Sequence, residues 1–284
     1  MFNAGAQPPA PADSAVAAST ASAAPLPSAF TERLPRWEAG FGAGLVQLPH
    51  YRGSEQSHRW AVPVPYFIYR GDFLRADRGG ARAVLMDGDR VDFDLSLGAS
   101  PPVQSEDNRA RAGMDDLAPT LEIGPKLNIR LGEGRVDGRP WRLVLRLPVR
   151  AALALDGGVR DAGFTFEPVL NLDVKTAWGN VGVLGGPLWG SRRWHQFNYG
   201  VGAADATATR PAYEASSGFA GWQATVGVSR RFGPVWAGAF WRFDHLGGAA
   251  FADSPLRTAR QHSSLGLAFA YVFAQSEDRV QTQD

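Results

Sequence analysis

The sequence predicts an all-β chain, a transmembrane antiparallel up-and-down β-barrel of about twelve strands, with ten to fourteen compatible with the pattern. Three observations carry this. Apolar residues alternate with polar ones along run after run. The runs are about eleven to fifteen residues long, where soluble strands average five or six. The face behind the apolar one is dense in charge, as a lumen wall would be.

Residues 1–35 form a leader of Ala, Pro and Ser. Its composition predicts disorder, and it resembles the tail of an export signal without the basic and apolar regions that open one. A flexible arm on a non-exported protein is the alternative. From Arg36 the period becomes two, and the barrel is expected over residues 36–273. Gly40, Gly42 and Gly44 fall on alternate positions of the first strand, with no following helix to make a phosphate loop. Their expected role is steric, clearing lumen space or admitting a neighbouring segment.

A short copy runs from Val91 to Leu97, with Asp92, Asp94 and Ser96 behind it. The clearest run sets Leu121, Ile123, Pro125, Leu127, Ile129 and Leu131 on one face. Thr120, Glu122, Gly124, Lys126, Asn128 and Arg130 stand on the other. Next, Trp141, Leu143, Leu145, Leu147, Val149, Ala151 and Leu153 oppose Arg142, Val144, Arg146, Pro148 and Arg150. A third run takes Phe164, Phe166, Pro168, Leu170, Leu172 and Val174 against Thr165, Glu167, Asn171, Asp173 and Lys175. Near the end Leu265, Leu267, Phe269, Tyr271 and Phe273 alternate with small residues. Helical spacing would scatter these side chains around a cylinder. Residues 59–86 and 182–199 follow neither pattern cleanly.

Turn-rich stretches separate the runs, plainest at Asp87-Gly88-Asp89, 132–138, 156–163, Gly179-Asn180 and Gly233-Pro234. Insertions at 99–117 and 202–217 are longer, and a barrel with short turns at one end and long loops at the other accommodates both. Residues 274–284 read as a polar tail. Trp37, Trp60, Trp141, Trp178, Trp236 and Tyr271 lie near run ends, where a membrane interface would place aromatics. A soluble sandwich or lipocalin-like barrel also alternates. Its runs would be shorter, and its charged face would be plain solvent surface.

Composition fits this frame. The chain has 33 glycines, nine tryptophans and sixteen phenylalanines, and no apolar run long enough for a membrane-spanning helix. A net charge of +1 gives no case for nucleic acid. Cysteine is absent, so disulfides and thiolate metal sites are excluded.

Five segments then stand out. They are Pro49-His50-Tyr51-Arg52-Gly53-Ser54, the stretch from Tyr69 to Gly80, Gly113-Met114-Asp115-Asp116-Leu117 with Leu121-Glu122-Ile123-Gly124-Pro125, Arg210-Pro211-Ala212-Tyr213, and Phe251-Ala252-Asp253-Ser254-Pro255-Leu256. In this order they resemble the outer-membrane family named for the MltA-interacting protein and OmpV, from about Trp37 to Phe273. The resemblance implies an outer-membrane barrel. It also implies a scaffold joining a lytic transglycosylase to a murein synthase, or a porin-like role. The chain departs from many outer-membrane barrels in running on past Phe273, whose aromatic side chain would otherwise be the terminal assembly signal.

No residue set announces catalysis. The five histidines, His50, His58, His195, His245 and His262, show no metal-ligand spacing, and no cofactor is expected. His262 and Ser264 share a face, but about 7 Å of strand separates them, too far for direct proton transfer. A barrel lipid hydrolase is therefore the weakest reading, and the chain is expected not to be an enzyme.

Charge placement is the sharper signal. Arg142, Arg146 and Arg150 form a stripe about 26 Å long on one face. Glu122 on the preceding strand and Glu167 and Asp173 on the following one are the expected partners, with Lys126 and Arg130 on the same lumen wall. Complete pairing would make a plugged lattice; incomplete pairing would line an anion-favouring pore. Arg70, Asp72, Arg75, Asp77 and Arg78 make the densest charged stretch, read either as a solvated turn or as charges at the lumen mouth. The expected partners are outer-membrane lipid, murein enzymes and small solutes.

Overall fold

The computed structural model describes residues 32–70, 74–77, 80–86, 88 and 90–282. The chain begins with β1 (Glu32–Pro35), β2 (Trp37–Pro49), β3 (Ser57–Arg70), β4 (Leu74–Asp77), β5 (Gly80–Met86) and β6 (Val91–Ser100). It continues with β7 (Thr120–Val136), β8 (Arg139–Leu155), β9 (Val159–Phe166), β10 (Val169–Thr176) and β11 (Gly179–Gly190). The helix α1 (Arg192–Tyr199) precedes β12 (Gly218–Phe232), β13 (Val235–His245), β14 (Gln261–Gln275) and β15 (Arg279–Thr282).

A thirteen-stranded antiparallel sheet holds β2 to β14, and its ends meet because β10 pairs with β8 and β11 with β9. Sequence alternation predicts one run from Phe164 to Val174; the structure divides it into β9 and β10. Both lie end to end along β8, from Val149 to Leu155 for β9 and from Trp141 to Arg146 for β10. The break falls at Glu167-Pro168, where proline has no N–H to give the ladder. Counting the two as one stave, the described strands place twelve around the ring. The ladder is thin at β4, which meets β3 through Tyr69↔Ala76 and Arg70↔Arg75.

Connections sort by end. Asp137-Gly138, Ala177-Trp178 and Gly233-Pro234 are tight turns at the end where β2 begins and β14 finishes. Asp137 and Gly138 both have positive φ (50° and 74°), the backbone that lets a two-residue turn follow strand twist. Long connections at 50–56, 101–119, 191–217 and 246–260 all lie at the opposite end. Beside the tight turns sits a second, two-stranded sheet. Glu32–Pro35, which the sequence assigns to the leader, pairs with Arg279–Thr282 of the tail.

The outward face is apolar. Phe41, Leu45, Phe67, Leu121, Phe164, Leu170, Leu267 and Phe269 are all exposed, from strands spread around the ring. Soluble monomers rarely expose contiguous apolar surface of this extent. Among the described residues no helix is long and apolar enough to cross a membrane. Trp178 and Tyr271 project outward as expected of a girdle. Trp236 does not: it faces the lumen against Tyr66, ring centres 5.9 Å apart. Trp60 shares the inward parity of Val62 and stacks on His58.

Candidate functional site: a capped, charge-lined lumen

The four long connections converge on a single core. Tyr51, Val103, Leu117, Tyr199, Val201, Leu246, Phe251 and Leu256 are buried together; three of the four connections leave the consecutive strands β11 to β3, and 101–119 joins them from β6 and β7. A core shared by four connections makes a cap at the loop end. The Tyr199 and Phe251 rings stack with centres 3.6 Å apart. The Tyr51 hydroxyl donates to the Leu256 carbonyl at 2.6 Å, Tyr199 to the Arg52 carbonyl at 2.7 Å, and Ser254 to the Tyr199 carbonyl at 2.7 Å. Burial pushes the Tyr51 hydroxyl up to about 12 and that of Tyr199 further, so both persist as donors. Arg210 ties two loops by donating to the Ala110 and Ala112 carbonyls at 3.0 and 2.9 Å.

α1 belongs to this cap, and sequence reading missed it. Its signals were present: Ser191 caps the N-terminus by accepting from the Trp194 N–H, and Gly200 follows the last turn. Trp194 and Phe197 pack on Ala152, Ala154 and Ala162, whose small side chains leave room at the end of the lumen. Gly163 has φ +98°, and a Cβ there would collide with Ser191 and Trp194.

Beneath the cap lies a buried charge cluster. Arg52 Nε donates to Asp244 Oδ1 at 2.7 Å, and its other nitrogens reach the Ala220 and Trp222 carbonyls. Asp244 is fully buried on β13 and also accepts from Arg242 at 2.8 Å. His262 Nε2 lies 3.2 Å from the same carboxylate, and its Nδ1 is buried without a hydrogen-bond partner. The His262 ring is thus turned to Asp244 and not to Ser264, and no nucleophile–base contact forms between them.

The predicted lumen charges occupy the wall in layers. Arg150 takes both Glu167 at 2.8 Å and Glu122 at 3.7 Å, and donates to Ser96. Lys126 lies 3.2 Å from Asp94, whose two oxygens also accept from Asn128. Arg146 reaches Asp173 at 4.0 Å. Arg142, opposite which Asp173 stands on β10, also has a partner on β7. It meets Glu133 at 3.1 Å, and Arg130 reaches the same carboxylate at 4.0 Å. The cause is a register shift between Arg130 and Gly132, which puts Glu133 directly opposite Arg142.

At the turn end Glu38 is buried and accepts from Arg231 at 2.5 Å and Tyr66 at 3.2 Å, with Arg70 at 3.6 Å. Arg70 also donates to the Pro35 carbonyl at 2.7 Å. Of the other motif charges, Arg75 and Asp77 lie in β4, while Asp72 and Arg78 lie outside the described residues. A cavity of about 760 Å³ occupies this half of the lumen, from Arg70, Lys175 and Arg231 at the turn end to Val46 and Lys126 near mid-barrel.

Sequence reasoning did not single out Arg52, Arg242, Asp244, Glu38, Glu133 or Arg231 as site residues. Parity alone could have placed Arg242, Asp244 and His262 on one inward face. Four of the five family-like segments meet in the cap, through Tyr51, Leu117, Arg210 and Phe251.

Residues 41–273 match a protein-family model described as MltA-interacting protein MipA. A search of curated proteins finds no significant match. The matched span starts within β2 and ends within β14, so it takes in the ring and the cap together.

Proposed function

The chain belongs to the MltA-interacting protein (MipA) family, and on that premise we propose that it is a non-enzymatic outer-membrane barrel that docks a murein lytic transglycosylase. The apolar outer belt supports the membrane setting, since lipid makes such a surface favourable. The observation that carries the scaffold over a pore is the cap. Four loops bury one core across the loop end, and ion pairs of Arg150 and Asp244 lie beneath it. A docking barrel needs surface, not a bore.

Short turns alone offer little area for a stable interface, which buries about 800 Å² per partner. The β1–β15 ribbon and the β7–β8 hairpin, which continues past the start of β6, enlarge the turn-end surface. In this reading the turn end faces the periplasm, where the transglycosylase works. A murein synthase would be a second client of the same assembly.

The test pairs capture with conductance. Tagged protein drawn from envelope extracts should bring down a lytic transglycosylase, and purified protein in planar bilayers should stay silent. Discrete conductance steps without capture would overturn the scaffold in favour of the small-solute channel, which the charged lumen otherwise favours.

A further inference from the structure

The barrel wall carries a seam beside β3. On one side β3 is paired with β2 from Pro49↔Ser57 to Trp37↔Tyr69. On the other side it meets β4 through Tyr69↔Ala76 and Arg70↔Arg75. Among the described residues, no strand pairs with Ser57 to Ile68 on the side away from β2. β6 shows the same imbalance: it pairs with β7 from Val91 to Ser100, and with β5 through Val84↔Asp94 and Met86↔Phe93. The seam is fastened at its loop end by the Gln56 side chain, which donates to the Asp107 carbonyl at 3.0 Å and accepts from the Arg109 N–H at 2.7 Å.

Proline marks the same edge in the sequence. The Arg70 N–H donates to the Arg36 carbonyl and the His50 N–H to the Gln56 carbonyl, which puts the even-numbered residues of β3 in the β2 ladder. Its odd-numbered residues therefore turn their backbone groups toward the seam. Two of them, Pro63 and Pro65, have no N–H to present. Proline at position 62 or 64 would remove a bond from the β2 ladder; at 63 and 65 it removes none. An unpaired N–H is costly in hydrocarbon, so taking two donors from the middle of this edge suits contact with lipid.

Apolar surface continues through the seam. Outside it, Pro65 and Phe67 are exposed on the belt. Inside it, half-buried Val62 and Val64 line the turn-end cavity. Val46 on β2 and Trp236 and Phe240 on β13 extend that surface around the ring, and Gly266 and Ala268 of β14 leave a groove between them. The volume, about 760 Å³, falls within the range of roughly 300–1,000 Å³ typical of small-molecule sites. On the far wall Lys126, Arg142 and Arg146 are held by Asp94, Glu133 and Asp173, so the apolar wall decides what fits.

We infer that the seam is a lateral passage, by which a single uncharged hydrocarbon chain enters the lumen from the bilayer and lies along Val62, Val64 and Trp236. The chain exchanges one apolar surface for another and crosses an edge that Pro63 and Pro65 have stripped of donors. The inference rests on the barrel lying in lipid, as proposed above, and needs no protein partner.

The experiment places the full chain in phosphatidylcholine vesicles with trifluoromethyl-phenyl-diazirine, an uncharged photolabel that concentrates in lipid. Peptide mass spectrometry after photolysis locates the adducts. Outward Leu45 and Phe67 should be labelled, and so should inward Val62 and Val64. Hexadecane should compete for the inward sites and spare the outward ones. Glutathione, which scavenges the label in water, should change neither. Val64→Lys should lose the adduct at Val62 and keep those at Leu45 and Phe67. Heat-modifiable gel migration checks its fold, and Val64→Thr takes its place should it misfold. Outward adducts without inward ones would overturn the passage and leave the membrane setting standing. Inward adducts that glutathione removes, that hexadecane fails to reduce, or that persist in the folded variant would overturn it as well. Absence of adducts from both faces would remove the membrane setting itself, and the passage with it.

Discussion

Arg52, in the loop after β2, donates to the buried carboxylate of Asp244 on β13 at 2.7 Å, and this contact fastens the cap to the barrel wall. The same guanidinium reaches the Ala220 and Trp222 carbonyls of β12, while the Arg52 carbonyl accepts from Tyr199 in α1. One side chain and its own backbone thus join β12, β13 and α1. Arg242 and His262 complete the surroundings of Asp244 from below, so the carboxylate cannot be lost without stranding cations.

Replacing Asp244 by Ala should therefore unfasten the cap without dissolving the ring. Breaking a buried pair by removing one partner costs about 3–5 kcal/mol, because the remaining charge is left uncompensated. The variant should keep heat-modifiable migration yet show rapid protease cleavage within 191–217 and 246–260, where the parent's buried cap should resist it. It should also admit current in bilayers. Resistance equal to that of the parent would mean that the cap is held by its apolar core alone.

Acid should loosen the same cap. His195 is fully buried, and its Nδ1 lies 2.6 Å from the Ser216 carbonyl, which can only accept, so Nδ1 carries the proton. Its Nε2 is buried without a partner. Burial, and repulsion from Arg52, hold the ring below its ordinary value of 6.5, and burial with repulsion from His58 does the same to His50. An opened cap then binds more protons than a closed one as pH falls through 6.5, so stability rises with pH and is lost toward acid. Protease resistance of the loops should fall between about pH 6.5 and pH 5. His195→Phe should flatten that dependence, and a profile as steep as the parent's would assign the acid response elsewhere.

How much of this was legible in sequence follows from which physics is local. Strand parity is local, so Leu121, Phe164 and Leu267 on the outer face and Arg150, Lys126 and Asp173 on the inner one could be read from alternation. Pairing depends on register, and the shift at Arg130 and Gly132 sends Arg142 to Glu133, which no count along the chain reveals. The cap is less legible still. Its core joins Tyr51, Leu117, Tyr199 and Phe251 across long sequence separations, and loops carry no period to announce such contacts. Family-like segments marked Tyr51, Leu117 and Phe251 but not Tyr199, and only the fold shows that four of the five serve one core. Gly42 was read as a steric clearance, and the cause is specific: a Cβ there would collide with the Phe269 carbonyl oxygen on the neighbouring strand β14.

That neighbouring strand supplies the plainest test of which face meets lipid. On β14, Leu267 and Phe269 point outward and are more than half exposed, while Ala270 is almost fully buried on the inward face. If lipid surrounds the ring, Leu267→Arg near the middle of the strand should cost about 2–4 kcal/mol, and Arg placed nearer the interface, at Phe273, about 0–1 kcal/mol. In a ring surrounded by water both changes would be close to neutral, because an exposed arginine is readily solvated. Reversible unfolding of each variant from lipid vesicles in guanidinium chloride measures the difference. Depth-dependent loss at Leu267 with little change at Phe273 supports a membrane belt. Equal, small effects at both positions would place the barrel in water, and the proposed periplasmic orientation of its turn end would fall with it.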